Sequence, residues 1–344
     1  MAGAPAKLLH VLGLLAKEEA TYGTAVALTT TADGVQLQYP DKNVAAPFEI
    51  DYSFDGDLGP SVGNLGTVKR VGPAGRSIRG SLPTRCRPGG AAYSASVVSS
   101  IHRLLKAAGF DGTLSTSTGA ESWTYNPTAP GSTYTSLTEE LYTRGEKWPV
   151  VGILSDLQVD FADPKPPIWM FAQQGIVSAL PTDVAAPVIT YPLQSVSPPL
   201  ASAISFTLGN FTNANAVVMS GSLALNRELT PRVALSGAAA HLGFVPGARR
   251  PELKVVLEAT ALTATPFTAA AAFDPYNLRD SAQNLAVALQ FGSTQYNKYV
   301  INFPQAQIID VKPMNNGPIA TVELTIRAYN STAVSADDVN IVFA

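Results

Sequence analysis

Two stretches about 150 residues apart follow one pattern, and they limit the fold more than any other feature of the chain. DLQVDFADPKPPIWMFAQQGIV (Asp156–Val177) and AQIIDVKPMNNGPIATVELTIRAY (Ala306–Tyr329) each run through a strand-like segment, an Asp near its end, a Pro-containing turn and a second strand-like segment. Side chains of an extended chain alternate between faces, so such segments predict β-hairpins. Val159-Asp160-Phe161 aligns with Ile309-Asp310-Val311 as equivalent positions. A hairpin built near the end of each half predicts two similar β units in tandem.

The remaining sequence agrees. GVQLQY (Gly34–Tyr39), RSIRGSLPTR (Arg76–Arg85), TYTSLTEELYTR (Thr133–Arg144), ELKVVLEATAL (Glu252–Leu262) and TVELTIRAY (Thr321–Tyr329) all alternate. KWPVVGILSDLQVDF (Lys147–Phe161) predicts a long strand with a bulge near Gly152. Strands of this length favour a sandwich or barrel over an open α/β sheet. Val97, Val98, Ile101, Leu104, Leu105 and Ala108 fall on one helical stripe, which predicts a packing helix near 94–108. Ser94 or Ser96 would cap its start, with Lys106 in the last turn and Gly109 at the left-handed C′ position. A shorter helix is expected in DPYNLRDSAQN (Asp274–Asn284), capped by Asp274 with Pro275 at its first position. Both helices follow strands and precede the repeated hairpin. LPTDVAAPVITYPLQSVSPPLA (Leu180–Ala201) lacks periodicity and is rich in proline, so it predicts a linker over a surface. The expected fold class is mainly β: two tandem β-sandwich or barrel domains, 1–180 and 202–344, each flanked by a short helix and joined by linker 181–201. A long Gly-rich loop, Phe54–Gly75, is too long for a hairpin turn.

Composition bears on what covers these sheets. Charged residues make up 14% of the chain, where about 25% is ordinary. Val184 to Asn226 contains no charged residue at all. A spanning helix needs about 20 consecutive apolar residues, and this run is interrupted by Pro187, Pro192, Pro198 and Pro199. LLHVLGLLA (Leu8–Ala16) is too short to span and is followed by KEEATYG, so it is expected to dock on its own protein. Partner subunits are then the favoured cover for the uncharged surface. The net charge of −3 is not the basic balance of a nucleic-acid binder. The single cysteine, Cys86, is expected to pack as a small strand residue, without disulfide or thiolate cluster.

The search for chemistry finds little. His10, His102 and His241 are far apart, and His102 is expected to be a solvated surface residue. GPAGRS (Gly72–Ser77) lacks the lysine and helix of a phosphate loop. Glu18-Glu19, Asp55 with Asp57, Glu139-Glu140 and Asp337-Asp338 read as solvated faces, and Glu139 and Glu140 cannot act as one pair because neighbours on a strand face opposite ways. Trp123, Trp148 and Trp169 are expected in core or interface packing. No catalytic, cofactor or metal residue is predicted.

Several pieces, in order, resemble the major tail tube proteins of long-tailed siphophages. These are AKEEATYGTAV (Ala16–Val26), the Gly-rich loop, the strand pair leading to SVVSSIHRLLKAAGF (Ser96–Phe110), LTEELYTRGEKWPVVGILSDLQVDF (Leu137–Phe161) and the closing ELTIRAYNS and DDVNIVF within Glu323–Phe343. The resemblance covers most of the chain. It implies a structural subunit of a bacteriophage virion, made in the host cytoplasm, whose β-domains join edge to edge into rings that stack as a hollow tube. Two domains per chain imply trimeric rings with pseudo-sixfold symmetry, and hence why one chain would carry the hairpin twice. The implied partners are further copies of the chain, tail-tip and tail-terminator proteins, and a tape-measure protein and DNA that pass through the lumen without tight binding. Phe54, Asp55, Asp57, Leu58, Val62, Leu65, Val68, Lys69 and Arg70 are then candidates for contact between rings, with Val97, Ile101, Leu104 and Leu105 packing the helix. A decoration or adhesion β-protein of the virion is the alternative, and a glycan-degrading enzyme a remoter one.

Overall fold

The computed structural model describes residues 13–37, 48–55, 72–129, 131–143, 145–162, 165–185, 187–209, 211–212, 217–233, 241–259, 274–332 and 336–344. The protein is mainly β, with a large antiparallel sheet. In the first half the strands are β1 (Gly13–Glu18), β2 (Phe48–Asp55), β3 (Gly72–Arg85), β4 (Phe110–Ser115), β5 (Ser122–Pro127), β6 (Leu137–Thr143), β7 (Glu146–Ala162), β8 (Ile168–Val177) and β9 (Thr182–Asp183). The second half contributes β10 (Ile204–Leu208), β11 (Phe211–Thr212), β12 (Val218–Ala224), β13 (Leu229–Val233), β14 (His241–Pro246), β15 (Glu252–Glu258), β16 (Leu285–Phe291), β17 (Tyr299–Asn316), β18 (Ile319–Ala328) and β19 (Asn340–Phe343). Helix α1 spans His102–Ala107 and α2 spans Pro275–Asp280.

The ladders repeat. In the first half the antiparallel order is β2-β3-β8-β7-β6-β1. In the second it is β12-β15-β18-β17-β16-β10. The irregularities repeat as well. Leu137 faces Ile153 and Glu139 faces Val150 across one bulge, and Leu285 faces Ala306 and Val287 faces Phe303 across its counterpart. Gly152 sits in the first bulge at φ +62°, a conformation that glycine adopts without a Cβ penalty.

Register corrects the alignment drawn from sequence. Asp156 faces Ala172 and Asp310 faces Thr325, at matching rungs of the two hairpins. Each carboxylate accepts the N–H of the next residue, Leu157 or Val311, at 2.9 Å. Asp310 therefore corresponds to Asp156, not Asp160. The four-residue slip arises because β17 carries a second bulge between Ile308 and Asp310 and a tighter turn, neither of which alternation reveals.

The helix expected near 94–108 is much shorter. Ser94 Oγ accepts from the N–H groups of Ser96 and Val97, which closes a local turn and not a helix start. Ser100 is held to Arg87 by its backbone N–H and by its hydroxyl. Val97 lies before the helix and is half-buried, whereas Ile101, Leu104 and Leu105 are buried. Gly109 takes the expected positive φ of +76° and its N–H reaches the carbonyl of Lys106. Asp274 caps α2 by accepting from Asn277 N–H at 3.1 Å, with Pro275 in its first turn.

One apolar core runs through both halves, from Leu14 in β1 to Phe343 in β19. Trp169 and Tyr299, both almost fully buried, meet edge to face with ring centres 5.4 Å apart. Trp123 and Trp148 are partly buried against the same core. Cys86 is buried and unpaired. The segment after β9 runs over the first half: Thr190 N–H bonds Thr30 O, Ala201 N–H bonds Lys165 O, and Arg87 bonds the carbonyls of Gln194 and Val196.

Candidate assembly surfaces

The halves meet by sheet pairing at two places. Gln158–Ala162 of β7 pairs antiparallel with Ser220–Ala224 of β12, on the edge that β6 leaves free beyond Ile153. Gly221 is what lets the strands approach, since a Cβ there would lie 2.4 Å from the Phe161 ring and 2.5 Å from Lys254 O. At the second place β19 lies between β17 and β5, with Ile341 facing both Ile301 and Tyr125.

Side chains lock the first junction. Tyr22 Oη accepts the N–H of Phe244 at 2.8 Å and donates to Gly152 O at 3.0 Å, so the N-terminal arm, the β7 bulge and β14 share one hydroxyl. The Glu19 carboxylate accepts from Gly23 N–H, Gly152 N–H, Ser136 Oγ and Thr138 Oγ1. A carboxylate with four donors is stably ionised in a nearly closed site, and it fixes the arm on the bulge. Arg227, 6% exposed, crosses from the second half to donate to Ala108 O at 2.8 Å, at the end of α1 where carbonyls lack helical partners. Its guanidinium lies over the Tyr134 ring at 4.8 Å. Of these residues sequence reasoning found only Gly152, through the bulge. The others lie far apart along the chain from what they touch.

Several acids expected on solvated faces are buried. Glu19, Glu139 and Asp338 point inward while Glu18, Glu140 and Asp337 do not, the alternation of an extended chain applied within each pair. Asp338 accepts from Arg249 Nε at 2.8 Å. Glu139 accepts from Gln173 Nε2 at 2.8 Å, and burial pushes its carboxyl up to about 8 despite that bond. His102 is buried too, against expectation: Nδ1 lies 2.5 Å from Tyr125 Oη and Nε2 3.6 Å from Glu18. Burial, then the nearby Lys106 ammonium, pushes the imidazole down to about 4. The reason is that the short α1 is enclosed by β5 on its polar side as well as by the core. His102 and Glu18 line a cleft of about 570 Å³ together with Arg103 and Ser96–Ser100. There Glu18 is engaged by Lys106 at 2.9 Å, and Arg103 by Asp33 at 2.9 Å. These groups neutralise one another, as in a structural cluster. Among the described residues no group of three potential metal ligands is present, and no helix is long and apolar enough to cross a membrane.

Of the candidates for contact between rings, Phe54 and Asp55 belong to β2, facing Pro73 and Gly72 of β3, so the loop is shorter than Phe54–Gly75 at both ends. Asp57, Leu58, Val62, Leu65, Val68, Lys69 and Arg70 lie outside the described residues. GPAGRS is strand. The corresponding connection in the second half, between β12 and β15, contains the β13-β14 hairpin, and Gly243-Phe244 of that hairpin lie against Tyr22. No family model matches the sequence, and no curated protein matches it.

Proposed function

We propose that this chain is a non-enzymatic structural subunit of a siphophage tail tube, folded as two tail-tube-type β domains whose copies close into trimeric, pseudo-sixfold rings. The rings stack into a hollow tube that conducts DNA during ejection. The observation that carries this reading is the repeated six-strand ladder whose two copies are joined by edge pairing of β12 on β7. A chain with two like units joined edge to edge has the geometry from which a ring is continued by the same contact. Open strand edges are an aggregation hazard in a free protein, and a closed ring uses them. The low charged fraction, 14%, fits a surface covered by further copies, and the resemblance in order of segments to tail tube proteins names the tube. The net charge of −3 fits a lumen through which phosphate slides without being held. Tape-measure, tail-tip and tail-terminator proteins are the further partners on this reading.

Negative-stain electron microscopy of the purified chain across concentration, with mass measured in parallel, tests it. Hollow tubes, or rings of three chains, are the expected result. Rings of six chains would keep the tube and refute two ring positions per chain. Monomers at every concentration, even with tail-tip complex added, would refute the tube and leave the decoration or adhesion reading.

A further inference from the structure

The second half leaves bare the stretch that the first half covers. Asp160 faces Ile168 and Met314 faces Thr321 at matching rungs, so Gln158–Ala162 of β7 corresponds to Lys312–Asn316 of β17. The former carries β12; the latter pairs only with β18 among the described residues, and all five of its residues are exposed. Ile309, Met314 and Ile319, each more than a third exposed, gather on the same hairpin. The strand that corresponds to β12 is β2. Arg79 and Glu252 face Gln174 and Arg327 on one side, at matching rungs, and Glu49 and Ala224 on the other. Among the described residues β2 pairs with β3 alone.

We propose that β2 of one copy adds antiparallel to Lys312–Asn316 of the next, in the register that β12 takes on β7, which sets Glu49 opposite Lys312 and Phe48 opposite Pro313. This rests on the reading that copies of the chain assemble head to tail. The occupant is a second copy because the fold already contains the contact once, within the chain. Charge selects it further. The rung occupied inside the chain by Gln158 and Ala224 becomes a lysine and a glutamate between copies, and opposite charges directly across two strands attract. Pro313 brings no N–H, so the neighbouring residues supply the donors of this edge.

Paired cysteines test the register. Facing Cα atoms of antiparallel strands lie about 4.5–5.5 Å apart, within disulfide range, and the native Cys86 is buried. Oxidised assemblies of E49C/K312C are expected to give covalent oligomers ending at the ring number, without reductant. Mixing the single variants E49C and K312C should stop at covalent dimers. Tubes or rings that assemble yet do not cross-link would overturn this contact while sparing the assembly reading. Protein that folds but never assembles, in wild type as well, would sink both. K312E, on an exposed edge, should leave the circular dichroism of the free subunit unchanged and weaken assembly by up to roughly fivefold per contact. E49K/K312E should restore it; no rescue would count against the Glu49–Lys312 rung.

Discussion

Where β6, β7 and β8 run side by side, the first half buries Glu139, Ser155 and Gln173. The corresponding rungs of β16, β17 and β18 hold Val287, Ile308 and Ile326, also buried. One ladder thus accepts a polar filling in one half and an apolar filling in the other. Backbone pairing is what the two have in common, and it does not depend on which side chains fill the layer. The polar filling is imperfect, since Ser155 Oγ and Gln173 Oε1 have no hydrogen-bond partner, and such groups cost stability that an apolar layer does not. The hairpin tips differ in the other direction. Phe161 is buried against Phe291 beneath the junction with β12, while Asn315, its counterpart, is exposed.

The largest expected effect breaks the comparison at the tips. F161A should destabilise the free subunit by about 3–5 kcal/mol in urea unfolding, whereas N315A should change it by less than about 0.5 kcal/mol. Equal effects would mean that the two tips are covered alike in solution. Next, E139V/Q173I copies the apolar layer of the second half into the first. Glu139 has an ordinary value of 4.5 and is raised to about 8 in the fold. Between these values the unfolded chain gives up the proton before the folded one does, so wild-type stability should fall as pH rises through this window. The double variant should remove that slope and be more stable at pH 8 by about 1–4 kcal/mol. A slope that persists would assign it to other groups.

G221A forces a methyl between β12 and Phe161 and should cost about 1–3 kcal/mol; a crystal structure showing β12 still paired at no cost in stability would mean that the junction is loosely packed. Y22F removes the hydroxyl shared by Gly152 and Phe244 and should cost about 1–2 kcal/mol. In the second half the counterpart of Gly152 is Gln305, whose carbonyl is bonded by the backbone of Tyr329, so Y22F tests a lock that only the first half has.

Alternation alone determined that the chain is mainly β, that it builds the hairpin twice, and that β7 is long and bulged at Gly152. Local chemistry determined the cap of Asp274 on α2 and the left-handed Gly109. These features depend on neighbours within a few residues, which is the range over which backbone geometry is set. The sequence overextended α1, because a stripe of apolar residues does not reveal that Ser94 and Ser100 bond to the backbone outside a helix. It misaligned Asp160 with Asp310, because a bulge adds a residue without changing the character of a strand. Only the tertiary structure decided that Glu19, Glu139 and His102 are interior, that Arg227 closes the end of α1, and that β12 covers β7 while Lys312–Asn316 stays bare. Those outcomes depend on partners 30 to more than 100 residues away, and burial is a property of everything that surrounds a side chain.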